Sequence, residues 1–296
     1  MKEYRYLIAS IICLGTVSMV GCSKNVNSIE EKSEMTMDDE INIEENSITD
    51  QGDIQETITE NLTVNTKIEI PEKSFATYNT EYKNFDNETI FGIIDQIKEV
   101  ISQGTQVTLV VGGGNFWRGR SANPAMDRVK ADQIGMLATV MNAMYLADSC
   151  RQKGVEAVVM TPFPVGTMTQ QFSKDLANKL LGEGKVLIFA GGIGHPFFST
   201  DTVTALRASE LEADAILFAK AIDGVYDSDP AVNPNAVKFD EIPCKDIVEK
   251  NLKVIDIAAA NLCYEQKIPV VIFGLAEEKS VIRAANGEKI GTTVTV

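Results

Sequence analysis

Five short apolar runs, separated by stretches of helical periodicity, constrain this chain more than any other feature. They are "QVTLVV", "VEAVVM", "KVLIFAGG", "AILFAK" and "PVVIF". Each is nearly continuous in apolar residues, as expected of strands covered on both faces. Between them, Ile90, Ile93, Ile97 and Ile101 fall at helical spacing and Gly104 follows as a stop signal. Ile134, Leu137, Met141 and Met144 mark a second helix that ends near Gly154. Further helices are predicted around Gln170–Leu181, around Asp201–Ala213 and within "VIDIAAANLCYEQ", and "GTTVTV" reads as a last strand. This alternation implies an α/β fold with a mainly parallel central sheet and helices on both faces. In such sheets ligands bind beyond the carboxyl ends of the strands.

The first residues read differently. "MKEYRYLIASIICLGTVSMVGCSK" has a basic start at Lys2 and Arg5, an uncharged apolar run, and Gly21 before Cys22. That is the layout of a secretory signal, and its apolar run falls short of the roughly 20 residues a spanning helix needs. The ending resembles a bacterial lipoprotein box, so residues 1–22 are expected to be a signal peptide and Cys22 a lipidation site. An ordinary N-terminal helix or a wrongly chosen start codon is the alternative. Residues 25–66 hold twelve Asp or Glu against Lys32 alone, with no aromatic residue. Such a segment cannot bury enough apolar surface to offset chain entropy, so 23–66 is expected to be an acidic, disordered tether. A folded domain is then expected over 67–296. These readings put the protein at the bacterial membrane through a lipid anchor, with a cytoplasmic location as the alternative.

The chain carries a formal charge of −15 and shows no basic stripe, which argues against nucleic acid as its main partner. Beyond the leader, Cys150, Cys244 and Cys263 are an odd and widely spaced trio. They form neither a disulfide framework nor a metal-ligand pattern, and core positions suit them best.

Three loops follow strands and carry unusual composition. "VVGGGNFWRGR" places Gly112, Gly113 and Gly114 where backbone N–H groups can approach a phosphate, with Arg118 able to add a charged fork. Strand-end glycines are also often plain turns, and neither the P-loop nor the dinucleotide fingerprint is present. "AGGIGHPFFSTD" supplies Ser199, Thr200 and Asp201 at a helix start, where simple capping is the bland explanation. His195, the single histidine, reads more readily as a loop hydrogen-bonder than as a catalyst. "AIDGVYDSDP" offers Asp223, Tyr226 and Asp229 around a turn at Gly224.

Taken together, "VVGGGNFWRG", "DRVKADQIGMLATVMNA", "AGGIGHPFFSTD", "LEADAILFAK", "DGVYDSDP" and "LKVIDIAAA" resemble, in this order, the bacterial UMP kinase branch of the amino acid kinase family. The resemblance covers roughly residues 85–296, and its strength lies in six motifs in sequence order. It implies transfer of the ATP γ-phosphoryl group to UMP, with Mg2+ carried by the nucleotide. It assigns UMP binding to Gly113, Asp132, Ile193, Gly194, His195, Pro196, Phe197, Phe198, Ser199 and Thr200. It assigns ATP binding to Gly114, Arg118, Lys220, Tyr226 and Asp229, and catalytic roles to Arg118 and Asp256. Asp132 and Asp256 could equally be helix caps. Homo-hexamers and GTP or UTP effectors are further family expectations.

One part of the pattern is missing. The family's first strand ends in a Lys-Leu-Ser-Gly-Glu type segment that meets the ATP phosphates. Counting back from Phe85, that strand is expected near 67–78, where Pro71 stands in place of the lysine. No glycine occurs from Asp53 through Phe91. Ile193 and His195 also replace the family's usual threonine and asparagine. The expected function is therefore UMP kinase with turnover in doubt, and the alternative is a lipid-anchored pseudokinase that binds uridine nucleotides.

Overall fold

The computed structural model describes the backbone of Tyr6–Ile11 and, with side chains, residues 85–117, 125–250, 252 and 254–296. Cys22, the acidic segment 23–66, the segment 67–78 and Arg118 lie outside the described residues.

The strands are β1 (Tyr6–Ile11), β2 (Gln106–Val111), β3 (Ala157–Thr161), β4 (Gln170–Gln171), β5 (Val186–Phe189), β6 (Ala215–Lys220), β7 (Val225–Tyr226), β8 (Lys238–Phe239), β9 (Glu241–Pro243), β10 (Val270–Gly274) and β11 (Thr292–Thr295). The helices are α1 (Asn87–Ser102), α2 (Arg128–Gln152), α3 (Lys174–Gly182), α4 (Thr200–Glu210), α5 (Cys244–Glu249), α6 (Ile257–Gln266) and α7 (Ser280–Ala285). Nine strands form one sheet in the order β4-β3-β5-β2-β1-β6-β10-β11-β9, and β7 with β8 forms a small antiparallel ribbon. Every pairing in the large sheet is parallel except β10 with β11. The mainly parallel α/β architecture expected from the apolar runs is what the chain adopts.

Alternate residues of the central strands enter two different cores, one on each face. Val107, Leu109 and Val111 of β2, with Leu217 of β6, pack with Ile90, Ile94 and Ile97 of α1. Val110 of β2, with Ile216 and Phe218 of β6, packs instead with Val203 and Ala208 of α4 and Cys263 of α6. The strand period of two sends successive side chains to opposite faces, and both faces are covered. Each large aliphatic side chain so buried contributes about 1.5–3 kcal/mol relative to exposure. Cys150, Cys244 and Cys263 are free and buried.

The position between β2 and β6 is filled by β1, from the N-terminal apolar run. Tyr6 to Ile11 pair with Gln106 to Val111 on one side, and Leu7 to Ile11 with Ala215 to Ala219 on the other. The sequence assigns this run to a leader and expects the first strand near 67–78. A short apolar run satisfies both descriptions, and only its distant partners distinguish them.

Two smaller differences concern helices. The region expected as one helix from Gln170 begins with β4, and Ser173 then caps α3 by accepting the Leu176 N–H at 3.3 Å. In α2, the apolar residues that signal the helix lie on its outer side. Leu137 is 52% exposed and Met141 51%, whereas Ala138, Thr139, Asn142, Ala143 and Leu146 are buried. Among the described residues no helix is long and apolar enough to cross a membrane.

Candidate functional site

The loops after β2 and β5, helix α2 and the start of α4 enclose a cavity of about 240 Å3 at the carboxyl edge of the sheet. Its walls include Gly113, Gly114, Asp132, His195, Phe198, Ser199 and Thr200, all seven of them residues singled out from the sequence. The site sits where parallel α/β sheets bind ligands.

Close packing of α2 on the first glycine loop makes this possible. A Cβ on Gly113 would lie 2.8 Å from the Gly135 carbonyl oxygen and 2.9 Å from Ala138 Cβ, so no larger residue fits without moving the helix. The Gly113 carbonyl accepts the N–H groups of Phe116 and Trp117, turning the chain back. The Trp117 indole N–H donates to the Ala131 carbonyl at 2.7 Å, fastening the loop to the first turns of α2. Asn142, fully buried, donates to the Gly112 carbonyl at 2.6 Å and pairs side chain to side chain with Asn115. On the other loop, Gly191 has φ +76°, a left-handed conformation that glycine adopts without strain. Its N–H donates to the Thr139 hydroxyl at 2.7 Å.

Asp132 lies a turn inside α2, whose cap is Asp127, so capping is not its task. It accepts from Arg128 at 2.9 Å and from the Phe197 N–H at 2.9 Å, which fixes the second loop over the helix. Phe197 has φ +73° and is exposed, with the Arg128 guanidinium 5.7 Å from its ring centre. Gly194 is also left-handed, at φ +89°. Ile193 packs against the core, and with Gly194, Pro196 and Phe197 it shapes the loop without lining the cavity.

Ser199 caps α4, accepting the Asp201 and Thr202 N–H groups. The positive end of that helix therefore opens beside Ser199 and Thr200 at the cavity wall, an arrangement that favours an anion. Asp256 caps α6 by accepting the Ala259 N–H at 2.8 Å and reaches across to α4, taking hydrogen bonds from Ser199 and from both the N–H and hydroxyl of Thr202. Burial works against its ionisation, yet these hydrogen bonds prevail and hold its carboxyl below the ordinary value. Asp256 thus orients α4 and does not itself line the cavity.

Of the ATP-assigned residues, Lys220 ends β6, Tyr226 lies in the β7 that follows it, and Asp229 comes just beyond. Lys220, the last residue of β6, places Nζ 3.0 Å from both carboxylate oxygens of Asp201 in the first turn of α4. Burial raises the Asp201 carboxyl above its usual range, Lys220 opposes that rise, and the neighbouring charge of Asp256 adds to it. Tyr226 donates to Asp223 at 2.8 Å, and Lys238 completes the group at 2.9 Å. Asp229 accepts the Ala231 N–H at 2.9 Å in an exposed turn. Lys220, Tyr226 and Asp229 lie outside the cavity lining. The strand end between the two groups is that of β1, where Ile11 is level with Val111 and Ala219. That strand contains no lysine. Among the described residues no three His, Cys, Asp or Glu side chains converge as a metal site.

The sequence does not single out Thr139, Asn142 or Trp117 as site-building residues, and it offers Asp201 at a helix start with capping as the plain alternative. The signal available for the first two was polar residues on the face of α2 opposite its apolar stripe.

The model of the amino acid kinase family matches residues 84–274. Among solved structures, UMP kinase from Bacillus anthracis superposes with a TM-score of 0.74 at 26% identity, over 99% of this chain and 97% of that one. UMP kinase from Ureaplasma parvum is 35% identical, with a TM-score of 0.67, over 72% of this chain and 91% of its own. Uridylate kinase from Archaeoglobus fulgidus gives 0.57 at 28% identity, over 71% and 94%.

Proposed function

This chain belongs to the amino acid kinase family, and from that premise we propose that it is a nucleoside monophosphate kinase whose acceptor is UMP and whose donor is ATP. The observation that carries this reading is the cavity itself, where the two glycine loops and the α4 N-terminus meet around Asp132, Ser199 and Thr200. The UMP phosphate sits at the α4 N-terminus, and Asp132 holds the Phe197 loop that covers the nucleoside. The Gly114 backbone approaches the transferring phosphoryl group, Lys220, ordered by Asp201, neutralises charge on the ATP side, and Arg118 keeps the phosphate-spanning role that the resemblance assigns it. Catalysis of this kind rests on in-line positioning and on neutralising charge spread over the phosphoryl oxygens. Mg2+ arrives with ATP as part of the substrate, and GTP and UTP act as effectors.

The exposed stripe Ile134, Leu137, Met141 and Met144 supports assembly with further copies of the chain, up to the hexamer that the family resemblance implies. Light scattering on the purified protein checks this, and a monomer at micromolar concentration overturns it.

A second reading has its own observation. The phosphate-binding lysine that the resemblance expects near 67–78 is replaced by Pro71, and β1, which lies between β2 and β6, ends at Ser10 and Ile11 without one. Loss of one charge-stabilising group typically costs about 10²–10³ in rate. The full chain, with ATP, Mg2+ and UMP, is expected to form UDP slowly. Binding of UMP without UDP formation favours a nucleotide-binding pseudokinase, and neither binding nor turnover by folded protein rejects both readings.

A further inference from the structure

We propose that residues 6–11 can serve only one of two ends, so that cleavage ahead of Cys22 and a complete kinase sheet are mutually exclusive states of this chain. The argument does not depend on the identity of the nucleotide. β1 is an interior strand, in register with six residues of β2 and five of β6. Adjacent strands lie about 4.8 Å apart, so without β1 its two neighbours stand roughly 9.5 Å apart, beyond any hydrogen bond. The sheet then divides into β4-β3-β5-β2 and β6-β10-β11-β9.

The two edges so exposed are "QVTLVV" and "AILFAK", long and almost wholly apolar. Neither carries the proline, bulge or internal charge that protects natural edges, since Lys220 is the last residue of its strand. Buried N–H and C=O groups along both strands would lose their partners together. The glycine loop follows β2 and Lys220 ends β6, so the same division separates the two halves of the candidate site. The sequence between Ile11 and Cys22 holds any cleavage point of the lipoprotein type, which means that processing there removes β1 from the body. A membrane-anchored product beginning at Cys22 therefore lacks the complete sheet, and the folded nucleotide-binding form is the one that keeps its first residues.

The test uses the full chain with Cys22→Ala, which cannot be lipidated, and a protease site placed within residues 25–66. After cleavage of the folded protein, the N-terminal fragment is expected to co-elute with the body in size exclusion. Amides of 106–111 and 215–220 are expected to keep slow hydrogen exchange. In the uncut chain, Ala9→Pro is expected to speed exchange in both strands by at least about tenfold, whereas Ser28→Pro leaves it unchanged. A fragment that separates in native buffer from a body of unaltered melting temperature and exchange overturns the proposal. So does an Ala9→Pro chain whose exchange in both strands matches the parent. No arm contains nucleotide, so a retained fragment supports the proposal whatever the separate UDP assay gives, and absent UDP formation in that assay counts against the kinase reading alone.

Discussion

The Thr139 hydroxyl accepts the Gly191 N–H at 2.7 Å and donates to the Met136 carbonyl at 2.6 Å. One side chain thus fastens α2 to the loop after β5 at a point where Gly191 is buried. Thr139→Val keeps the shape but leaves that N–H unpaired, at a cost of about 1–3 kcal/mol. Urea denaturation should show a lower midpoint, and UMP titration a weaker affinity because the second loop loses its anchor.

Gly113→Ala introduces a methyl group where the Gly135 carbonyl oxygen would be only 2.8 Å away. The helix backbone has to retreat, and overpacking of this kind costs about 1–3 kcal/mol. Gly92→Ala, in open space on α1, is the control and should be neutral or slightly stabilising. Melting temperatures of the two variants check the contrast.

Removing the lysine from the Lys220–Asp201 pair leaves a nearly buried carboxylate without its cation. Lys220→Met is expected to destabilise by about 3–5 kcal/mol, and the double variant Lys220→Met, Asp201→Asn to recover much of that loss. UDP formation should stay at least about 10²-fold down in both, because the positive charge is absent from each. Recovery of activity in the double variant would remove Lys220 from the phosphoryl-transfer role.

Asp256 has a folded-state pKa below its unfolded value, so its contribution is present above the unfolded pKa and lost as pH falls through the folded one. The parent should lose stability on acidification below about pH 4. Asp256→Asn should be less stable at neutral pH and show a flatter acid limb. Urea midpoints measured from pH 7 to pH 2.5 test the sign, and equal acid limbs would contradict it.

Ser10 is level with Val110, a cavity-wall residue, and with Phe218. If the strand end lacks a phosphate-binding cation, Ser10→Lys in the full chain should raise the rate of UDP formation by up to about 10²-fold. Pro71→Lys, at the place counted back from Phe85, should leave it unchanged. The reverse result would return the defect to residues 67–78.

The sheet strands were readable because both faces are covered, which makes each run apolar regardless of parity. Ile90, Ile93 and Ile97 pointed to α1 correctly since its neighbours lie on one side. In α2 the same periodicity marked a helix but not its inward face: Ala138, Thr139 and Asn142 turn inward because the glycine loop leaves room only for small or hydrogen-bonding residues. The pairing of residues 6–11 is not legible in the sequence, because local composition cannot encode partners that lie far along the chain, and the same run keeps the layout of a leader. The cavity-lining glycines, Asp132 and Ser199 were legible as motif members. The ties made by Thr139, Trp117 and Asp201 were not, since each depends on a neighbour brought close only by folding.

The register of β1 also sets a timetable. Tyr6 pairs with a residue 100 positions later, and Leu7 with one 208 positions later. At about 5–20 residues per second, a ribosome exposes this apolar stretch for on the order of ten seconds or more before either neighbour exists. During that wait, any factor that captures hydrophobic nascent chains competes with the half-made protein for the same six residues.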